Sequence, residues 1–459
     1  MAESVDVVVI GLGPGGEALA GDLAEAGLDV VGVESTLVGG ECPYWGCVPS
    51  KMMVRAADAL AEGRRVPELA GTSSVTPDWA PVARRIREEA TTNWNDKIAV
   101  DRLVGKGARF VRGTGRLLSP SAVAVDVDGA DGTREFEARR AVVIATGTVA
   151  TVPPIPGLAD TPYWTNREAI EATEVPESLC VIGGGAVGLE LAQAYARFGA
   201  RVTVLEALDR ILGPEEPESS ELIAEVLGRE GIAVRTGVEI GGVSHDGSGF
   251  RIDIGDDEVR TAALLVSTGR RADLRDMGVD TIGQDPNARA LEVDDHLRAA
   301  PGVWAIGDVV GKGAFTHVAV YHAKIAAADI LEQHGPGAQY HAVPRVTFTD
   351  PEVGAVGVTE SQARDMGVNV RVGTARVPSS ARGWIHKAGN EGLIKLVEDA
   401  DTGVLIGATS IGPNGGEVLG ALAVAVHAHV PTKRLRSMIY AYPTFHRAIE
   451  DALNDLATG

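Results

Sequence analysis

The sequence predicts an α/β protein that contains two copies of a unit of strand, glycine-rich turn and helix, followed by a C-terminal α+β domain. An apolar-rich run at residues 5–10 precedes a turn at residues 11–16, and another at residues 179–182 precedes a turn of the same spacing. After about residue 335 these turns cease, and alternating apolar segments predict an antiparallel sheet with late helices. The 459 residues, 45% of them hydrophobic, suffice for several domain cores.

The first copy has the complete context of a dinucleotide site. Its turn leads into a helix rich in Ala and Leu at residues 17–26, and the next strand, at residues 28–33, ends in an acidic residue. Glycine lets the backbone approach a pyrophosphate at a helix N-terminus, and the acid about twenty positions later binds ribose hydroxyls. The residues predicted to hold this nucleotide are Gly11, Gly13, Gly16 and Glu34.

The second copy predicts a second nucleotide site. A helix follows its turn, and the strand at residues 201–205 ends in Glu206. A carboxylate at that position would repel a ribose 2′-phosphate, which favours NADH over NADPH, although the nearby Arg210 could modify the preference. The glycines of this site are Gly183, Gly185 and Gly188.

The order of the remaining segments predicts that one Rossmann-like domain is inserted in the other. A buried strand enters the turn Ala145-Thr146-Gly147, and the second unit ends with the same strand and Thr-Gly pattern at Gly269. Residues 302–308 return the chain to the first domain. The predicted domains are residues 1–150 with 270–335, residues 151–269, and residues 336–459.

Charge and hydropathy exclude several classes of partner. The 42 Lys and Arg residues against 63 Asp and Glu residues give a net charge of −21, which disfavours nucleic acid. The acidic excess is spread along the chain, as on a solvated surface. No apolar run reaches the roughly 18–20 residues that span a bilayer, and the first strand leaves no room for a signal peptide, so we expect no membrane partner and a cytoplasmic location.

Two of the three cysteines, Cys42 and Cys47, lie close together in the sequence. In a reducing compartment such a pair is redox-active or metal-binding more often than structural. Two cysteines make only half a zinc site and no His lies nearby, so we predict no metal. The helical pattern after Cys47 places it near a helix N-terminus, where the dipole favours a thiolate. Cys42, nearer the open side, would exchange with a substrate disulfide, and Cys180 is expected to be a small buried hydrophobe.

Together these motifs resemble the pyridine nucleotide-disulfide oxidoreductases, the family of dihydrolipoamide dehydrogenase, glutathione reductase, mercuric reductase and soluble transhydrogenase. The likeness covers nearly the whole chain and rests on the redox motif at residues 39–51 and a second flavin-binding motif at residues 305–308. It implies FAD in the first domain, contacted by Thr146, Gly147 and Asp308. It also implies an ion pair of Lys51 with Glu190 beside the flavin, and a homodimer formed through the C-terminal domain.

The sequence departs from the family at the acid/base pair. The family has His-Pro-Thr, with a Glu five residues after the His, whereas this chain has Tyr442 and Arg447 at those positions. A Tyr with an unperturbed pKa near 10 is a poor proton acceptor at neutral pH. His446 and Glu450 lie four residues apart, which would place them on one helix face as a substitute pair, although a solvated helix face is the simpler interpretation.

The leading hypothesis is an FAD-dependent oxidoreductase that moves electrons between NAD(P)H and a small-molecule disulfide or dithiol through Cys42 and Cys47. The alternatives retain the fold: a quinone reductase, a soluble transhydrogenase, or a dithiol oxidase running in reverse. A non-catalytic nucleotide-binding protein is disfavoured by the complete cofactor motifs.

Overall fold

Strands and helices alternate through most of the chain in the computed structural model, which describes residues 2–129 and 132–458. The strands are β1 (Glu3–Ile10), β2 (Val30–Glu34), β3 (Arg109–Leu117), β4 (Ala122–Val127), β5 (Thr133–Ile144), β6 (Val149–Ala150), β7 (Ser178–Ile182), β8 (Arg201–Leu205), β9 (Ala233–Arg235), β10 (Gly242–His245), β11 (Phe250–Asp253), β12 (Glu258–Thr261), β13 (Ala263–Val266), β14 (Arg270–Arg271), β15 (Arg298–Ala300), β16 (Val303–Ala305), β17 (Pro344–Thr347), β18 (Glu352–Gly357), β19 (Val370–Arg376), β20 (Leu393–Asp399) and β21 (Val404–Gly412). The α-helices are α1 (Pro14–Glu25), α2 (Glu41–Tyr44), α3 (Cys47–Leu69), α4 (Ala80–Arg85), α5 (Lys97–Gly105), α6 (Asn166–Glu171), α7 (Ala186–Arg197), α8 (Pro217–Arg229), α9 (Thr316–Ile330), α10 (Glu360–Asp365), α11 (Ala381–His386), α12 (Gly415–His427), α13 (Thr432–Arg436) and α14 (Ala448–Thr458).

The chain divides into two units, of which the first comprises residues 1–49, 84–151 and 269–340. Its sheet has five parallel strands in the order β3-β2-β1-β5-β16, and β4 and β15 add antiparallel pairings. Both faces are buried, as is typical of parallel sheets: Val8 and Ile10 of β1 enter one core cluster, and Val7 and Val9 enter the other with α1 and α9.

The second unit comprises residues 50–83, 152–268 and 341–459. It contains a parallel sheet of order β13-β7-β8-β9, a three-stranded antiparallel sheet β10-β11-β12, and a five-stranded antiparallel sheet of order β17-β18-β21-β20-β19. Helices α12 and α14 bury their apolar faces on the five-stranded sheet, which forms the core of the C-terminal domain.

These sheets confirm the predicted fold class of two doubly wound dinucleotide folds and a C-terminal α+β domain. Residues 50–83 belong to the second unit, although the predicted first domain runs without interruption from residue 1 to 150. Within that unit, Asp58 and Arg65 of α3 pair with Arg197 and Asp350, respectively. None of the helices in the described ranges is long and apolar enough to cross a membrane.

His322 of α9 fixes the turn that follows β16. Its side chain is fully buried, its Nδ1 accepts the N–H of Gly307 at 3.1 Å, and its Nε2 lies 2.9 Å from the hydroxyl of Tyr340. Because Nδ1 accepts, the proton is on Nε2, which donates to the Tyr340 oxygen. Burial lowers the pKa of His322 to about 4, so the imidazole is neutral at neutral pH.

The pKa of His322 makes folding stability depend on pH. Between about pH 6.5 and pH 4 the unfolded chain binds a proton that the folded chain does not, so stability falls as the pH falls through this window. At about 1.4 kcal/mol per pKa unit, the free energy of unfolding falls by about 3 kcal/mol across this window. We expect His322→Gln to reduce the loss of stability between pH 7 and pH 4.5, measured as urea unfolding midpoints. The control is His317→Gln, which alters an exposed histidine of the same helix and should lose as much stability as wild type. Equal losses of stability in His322→Gln and wild type would contradict the lowered pKa of His322.

Candidate functional site

The first glycine turn joins β1 to α1 and leaves its backbone open. Gly11 has a φ of +92°, and a Cβ there would collide with the carbonyl of Ala145. A Cβ on Gly16 would collide with the carbonyl oxygen of Gly11, whereas one on Gly13 would meet no atom within 4 Å. The outer glycines therefore permit close packing, and Gly13, at the N-cap of α1, presents backbone that a phosphate can approach.

The second turn, between β7 and α7, repeats this arrangement. Gly183 has a φ of +109° and packs against the carbonyl of Ser267. A Cβ on Gly188 would collide with the carbonyl oxygen of Gly183, while the space beside Gly185, the N-cap of α7, is open. The two turns thus offer the same kind of cradle to a pyrophosphate.

Each predicted ribose-binding acid is held by its own glycine turn. Glu34 accepts the N–H groups of Leu12 and Thr36, both at 2.8 Å. Glu206 accepts the N–H of Gly184 at 2.6 Å and that of Leu208 at 2.8 Å. These bonds orient both carboxylates at the carboxyl ends of their strands, where nucleotides bind in this class of fold.

Asp308, predicted to contact the ribityl chain, lies in the turn after β16. Its carboxylate accepts the hydroxyl of Thr148 at 3.2 Å, and Arg270 donates to the hydroxyl and the carbonyl of Thr148. Burial raises the pKa of Asp308 against the effect of that hydroxyl and of the Arg270 charge.

The two Thr-Gly turns also have positions in the structure. Thr146 and Gly147 follow β5, and the main chain of Thr146 packs beside Gly11. Gly269 follows β13 with a φ of +110°, and its carbonyl accepts the N–H of Thr151 at 2.9 Å.

The cysteine pair lies at the start of α3. Cys42 is in the short helix α2 and Cys47 is the first residue of α3, which brings the thiols into hydrogen-bonding contact. Cys47 is exposed and Cys42 is half-buried, which is the reverse of the predicted order of exposure. The contact with Cys47 and burial both raise the pKa of Cys42, so this thiol keeps its proton.

The hydroxyl of Thr316 adds a third polar group to the pair. It lies 3.4 Å from the sulfur of Cys47, and it acts on Cys42 in the direction of a lower pKa. Thr316 is the first residue of α9, so the positive end of that helix faces the thiols. The sequence analysis missed Thr316 because 269 residues separate it from Cys47 and no local motif marks it.

Lys51 and Glu190 form the predicted ion pair. Lys51 is one helical turn after Cys47 in α3, and Glu190 is a buried residue of α7. The other oxygen of Glu190 accepts the N–H of Phe348 at 2.8 Å, and the Lys51 ammonium lies 4.6 Å from the centre of the Phe348 ring. Phe348 was not predicted, because its role follows from a backbone N–H and a cation–π contact that no motif reveals.

The predicted contact of His446 with Glu450 is absent, although both residues lie in the described part of the chain. Glu450 instead pairs with Arg447, whose guanidinium also lies 5.4 Å from the centre of the Tyr442 ring. The imidazole of His446 is 3.4 Å from the hydroxyl of Thr444. Residues 445–447 form a 3₁₀ turn before α14, so the i, i+4 geometry of an α-helix does not apply at His446. Tyr442 is 71% exposed.

Three further side chains pack the interior. Tyr44 and Trp45 of the redox loop are buried, with ring centres 5.9 Å apart, so they support the loop. Cys180 is fully buried in β7, as expected for a small apolar residue, and burial raises its pKa to about 12.

Comparison with known proteins places this arrangement among flavin-dependent enzymes. The family model described as pyridine nucleotide-disulphide oxidoreductase matches residues 5–323, and its dimerisation domain matches residues 343–453. A mercuric reductase of Streptomyces lividans is 33% identical over 453 residues, covering 97% of this chain and 94% of the relative. A dihydrolipoyl dehydrogenase of Chlorobaculum tepidum is 32% identical over 465 residues, covering 99% and 97%.

Solved structures of flavoprotein disulfide reductases have the same fold as this chain. The Cu(II) complex of the HOCl-induced flavoprotein disulfide reductase RclA from Escherichia coli superposes with a TM-score of 0.87 at 26% identity, covering 99% of both chains. LpdA from Mycobacterium tuberculosis gives the same TM-score at 24% identity, covering 98% of this chain and 99% of its own, which supports the fold.

Proposed function

The chain belongs to the pyridine nucleotide-disulphide oxidoreductase family, and we propose that it transfers two electrons from NADH to a small-molecule disulfide through Cys42 and Cys47. The observation that carries the proposal is the contact between these two thiols at the start of α3, beside the Thr316 hydroxyl. In this position the pair can alternate between a dithiol and a disulfide.

As a member of this family, the protein is an FAD-dependent NAD(P)H oxidoreductase. The first unit fits FAD: Gly13 presents open backbone at a helix N-terminus, Glu34 at the end of β2 would bind ribose hydroxyls, and Asp308 after β16 and Thr148 after β5 would supply further polar groups. When bound, FAD supplies the two-electron carrier between nicotinamide and disulfide.

For the second nucleotide, NADH is favoured over NADPH. The charge of Glu206 would repel a 2′-phosphate, and Arg210 does not offset it, because its guanidinium donates to the carbonyls of Gly213 and Glu215 and to the hydroxyl of Ser220. The guanidinium of Arg210 is therefore engaged by its own loop and by the first turns of α8.

The thiol chemistry balances as NADH, a proton and a disulfide giving NAD⁺ and two thiols. Deprotonated Cys42 attacks one sulfur of the substrate, which breaks the substrate S–S bond, forms a mixed disulfide and releases the first thiol. Cys47 then attacks the Cys42 sulfur, which releases the second thiol and closes the Cys42–Cys47 disulfide. Because the pKa of Cys42 is raised, the first step needs a base, and the released thiols need a proton donor.

Proton transfer is the step at which this chain differs from its family. The match of residues 343–453 to the dimerisation domain supports a homodimer. By the family resemblance, the segment with Tyr442 and His446 would serve the disulfide substrate of the partner subunit. We propose Tyr442 as the hydrogen-bond donor and His446 as the base, without help from Glu450, which is paired with Arg447.

A second candidate retains the cofactors and replaces the disulfide with a quinone or a second nicotinamide. Tyr442 favours it, because neither acceptor needs a base beside Cys42. The intact thiol pair and its contact with Thr316 favour the disulfide.

Substitution of Cys47 distinguishes the two candidates. We expect Cys47→Ser to keep NADH-driven bleaching of the flavin absorbance and to lose lipoamide or oxidised-glutathione turnover by about a hundredfold or more. The control Cys180→Ala, which alters the third, buried cysteine, should retain disulfide turnover. Unchanged disulfide turnover in Cys47→Ser would refute the thiol assignment. If wild type does not reduce disulfides and Cys47→Ser still reduces menadione, the result would favour a quinone as the acceptor.

Substitution of Glu206 tests the nucleotide preference. We expect wild type to use NADH better than NADPH and Glu206→Gln to raise the NADPH/NADH ratio of kcat/KM by about tenfold, because the repelling charge is removed. Arg210→Met should not lower that ratio. Equal use of both nucleotides by wild type would show that the Glu206 charge does not discriminate.

A further inference from the structure

One face of helix α7 contacts the segment between β17 and β18. Glu190, Gln193 and Arg197 occupy positions i, i+3 and i+7, so they lie on the same side of the helix, and all three are at most 7% exposed. Their partners, Phe348 and Asp350, are two residues apart.

Gln193 binds the backbone of Asp350 twice. Its Oε1 accepts the N–H of Asp350 at 2.8 Å, and its Nε2 donates to the carbonyl of Asp350 at 3.0 Å. A carboxamide that both accepts and donates satisfies two backbone groups that would otherwise be costly to bury. Neither a carboxylate nor an apolar side chain can make both bonds.

The carboxylate of Asp350 anchors the same segment through two arginines. It accepts Nη2 of Arg197 and Nη2 of Arg65, both at 2.7 Å, and Arg65 belongs to α3, the helix that carries Lys51. Arg197 is held in turn by Asp58 of α3 at 2.7 Å and by Glu230 at 2.6 Å. Asp350 thus ties the segment to both helices that carry the ion pair.

We propose that Gln193 and Asp350 are positioning residues for the Lys51–Glu190 ion pair. They hold the segment at residues 348–350, so that the N–H of Phe348 fixes one oxygen of Glu190 and the Phe348 ring supports the ammonium of Lys51. This inference rests on the proposed function only in giving the ion pair a redox role, whereas its geometric content stands independently. The expected effect is indirect: displacement of the segment loosens the ion pair, and a misplacement of about 1 Å can cost about a hundredfold in rate.

The test uses the full chain with its FAD and the variant Gln193→Met, which keeps the side-chain volume and removes both hydrogen bonds to Asp350, together with the 3.2 Å bond from Nε2 of Gln193 to Glu230. The first readout is the acylation rate of Lys51 in a brief acetic anhydride pulse, measured by peptide mass spectrometry. Because the loosened ammonium is less paired, we expect its acylation to rise several-fold. The matched control is Gln362→Met, since Gln362 also accepts a backbone N–H, that of Thr359 at the start of α10.

The second readout is the rate constant for flavin reduction by NADH in a double-mutant cycle. Gln193→Met should slow reduction by about tenfold in the wild-type background and by no more than about twofold when Lys51→Met is already present. A merely structural role would slow both backgrounds equally. If Gln193→Met does not fold, Asp350→Asn, which keeps the main-chain bonds and removes the charge, should raise Lys51 acylation in the same way.

Each outcome decides one claim. Unchanged Lys51 acylation in Gln193→Met, or equal slowing in both backgrounds, overturns the positioning role. Wild type that NADH cannot reduce overturns the proposed function, while the acylation arm still tests the contact between Gln193 and the ion pair.

Discussion

Compensation of buried charge on helix α7 is the constraint on which the second unit depends. Glu190 and Arg197 are almost fully buried on this helix, and a buried charge is tolerated only when paired and hydrogen-bonded. The partners come from α3, from Glu230 after α8 and from the segment after β17. Because α7 also begins at the glycine turn of the nucleotide site, one rigid helix fixes both the nucleotide cradle and the carboxylate paired with Lys51.

In the first unit, backbone N–H groups and helix N-termini take the place that buried ion pairs have in the second. A glycine turn leads into α1, and the N-terminus of α9 faces the cysteines through Thr316. Its Asp308 turn is held by His322, a neutral imidazole at neutral pH. The unit therefore presents helix N-termini and oriented N–H groups, which suit the binding of an anionic cofactor and the stabilisation of a thiolate.

The features predicted from residue spacing are those encoded locally, whereas the ion pair of Lys51 with Glu190, 139 residues apart, was implied by the family resemblance. Each of these local features can be recognised within a window of about thirty residues, because strand, turn and acid have a fixed spacing. They are the glycines of the two turns, Glu34, Glu206 and the cysteine pair. The contacts of Thr316 with Cys47 and of Arg197 with Asp350 join residues far apart in the chain, and no spacing rule reaches them. The proposed pair of His446 with Glu450 failed for a local reason: Arg447 lies closer to Glu450 and holds it, and the chain at His446 is not yet α-helical.

The central claim is that electrons from NADH reach the cysteine pair, and an anaerobic titration tests it most directly. The account predicts that each FAD takes up two equivalents of NADH. It also predicts that a long-wavelength charge-transfer band from thiolate to flavin is present once the first equivalent has been taken up. Uptake of one equivalent without that band would contradict it, because the electrons would then stop at the flavin and the thiols would have no part in the reaction.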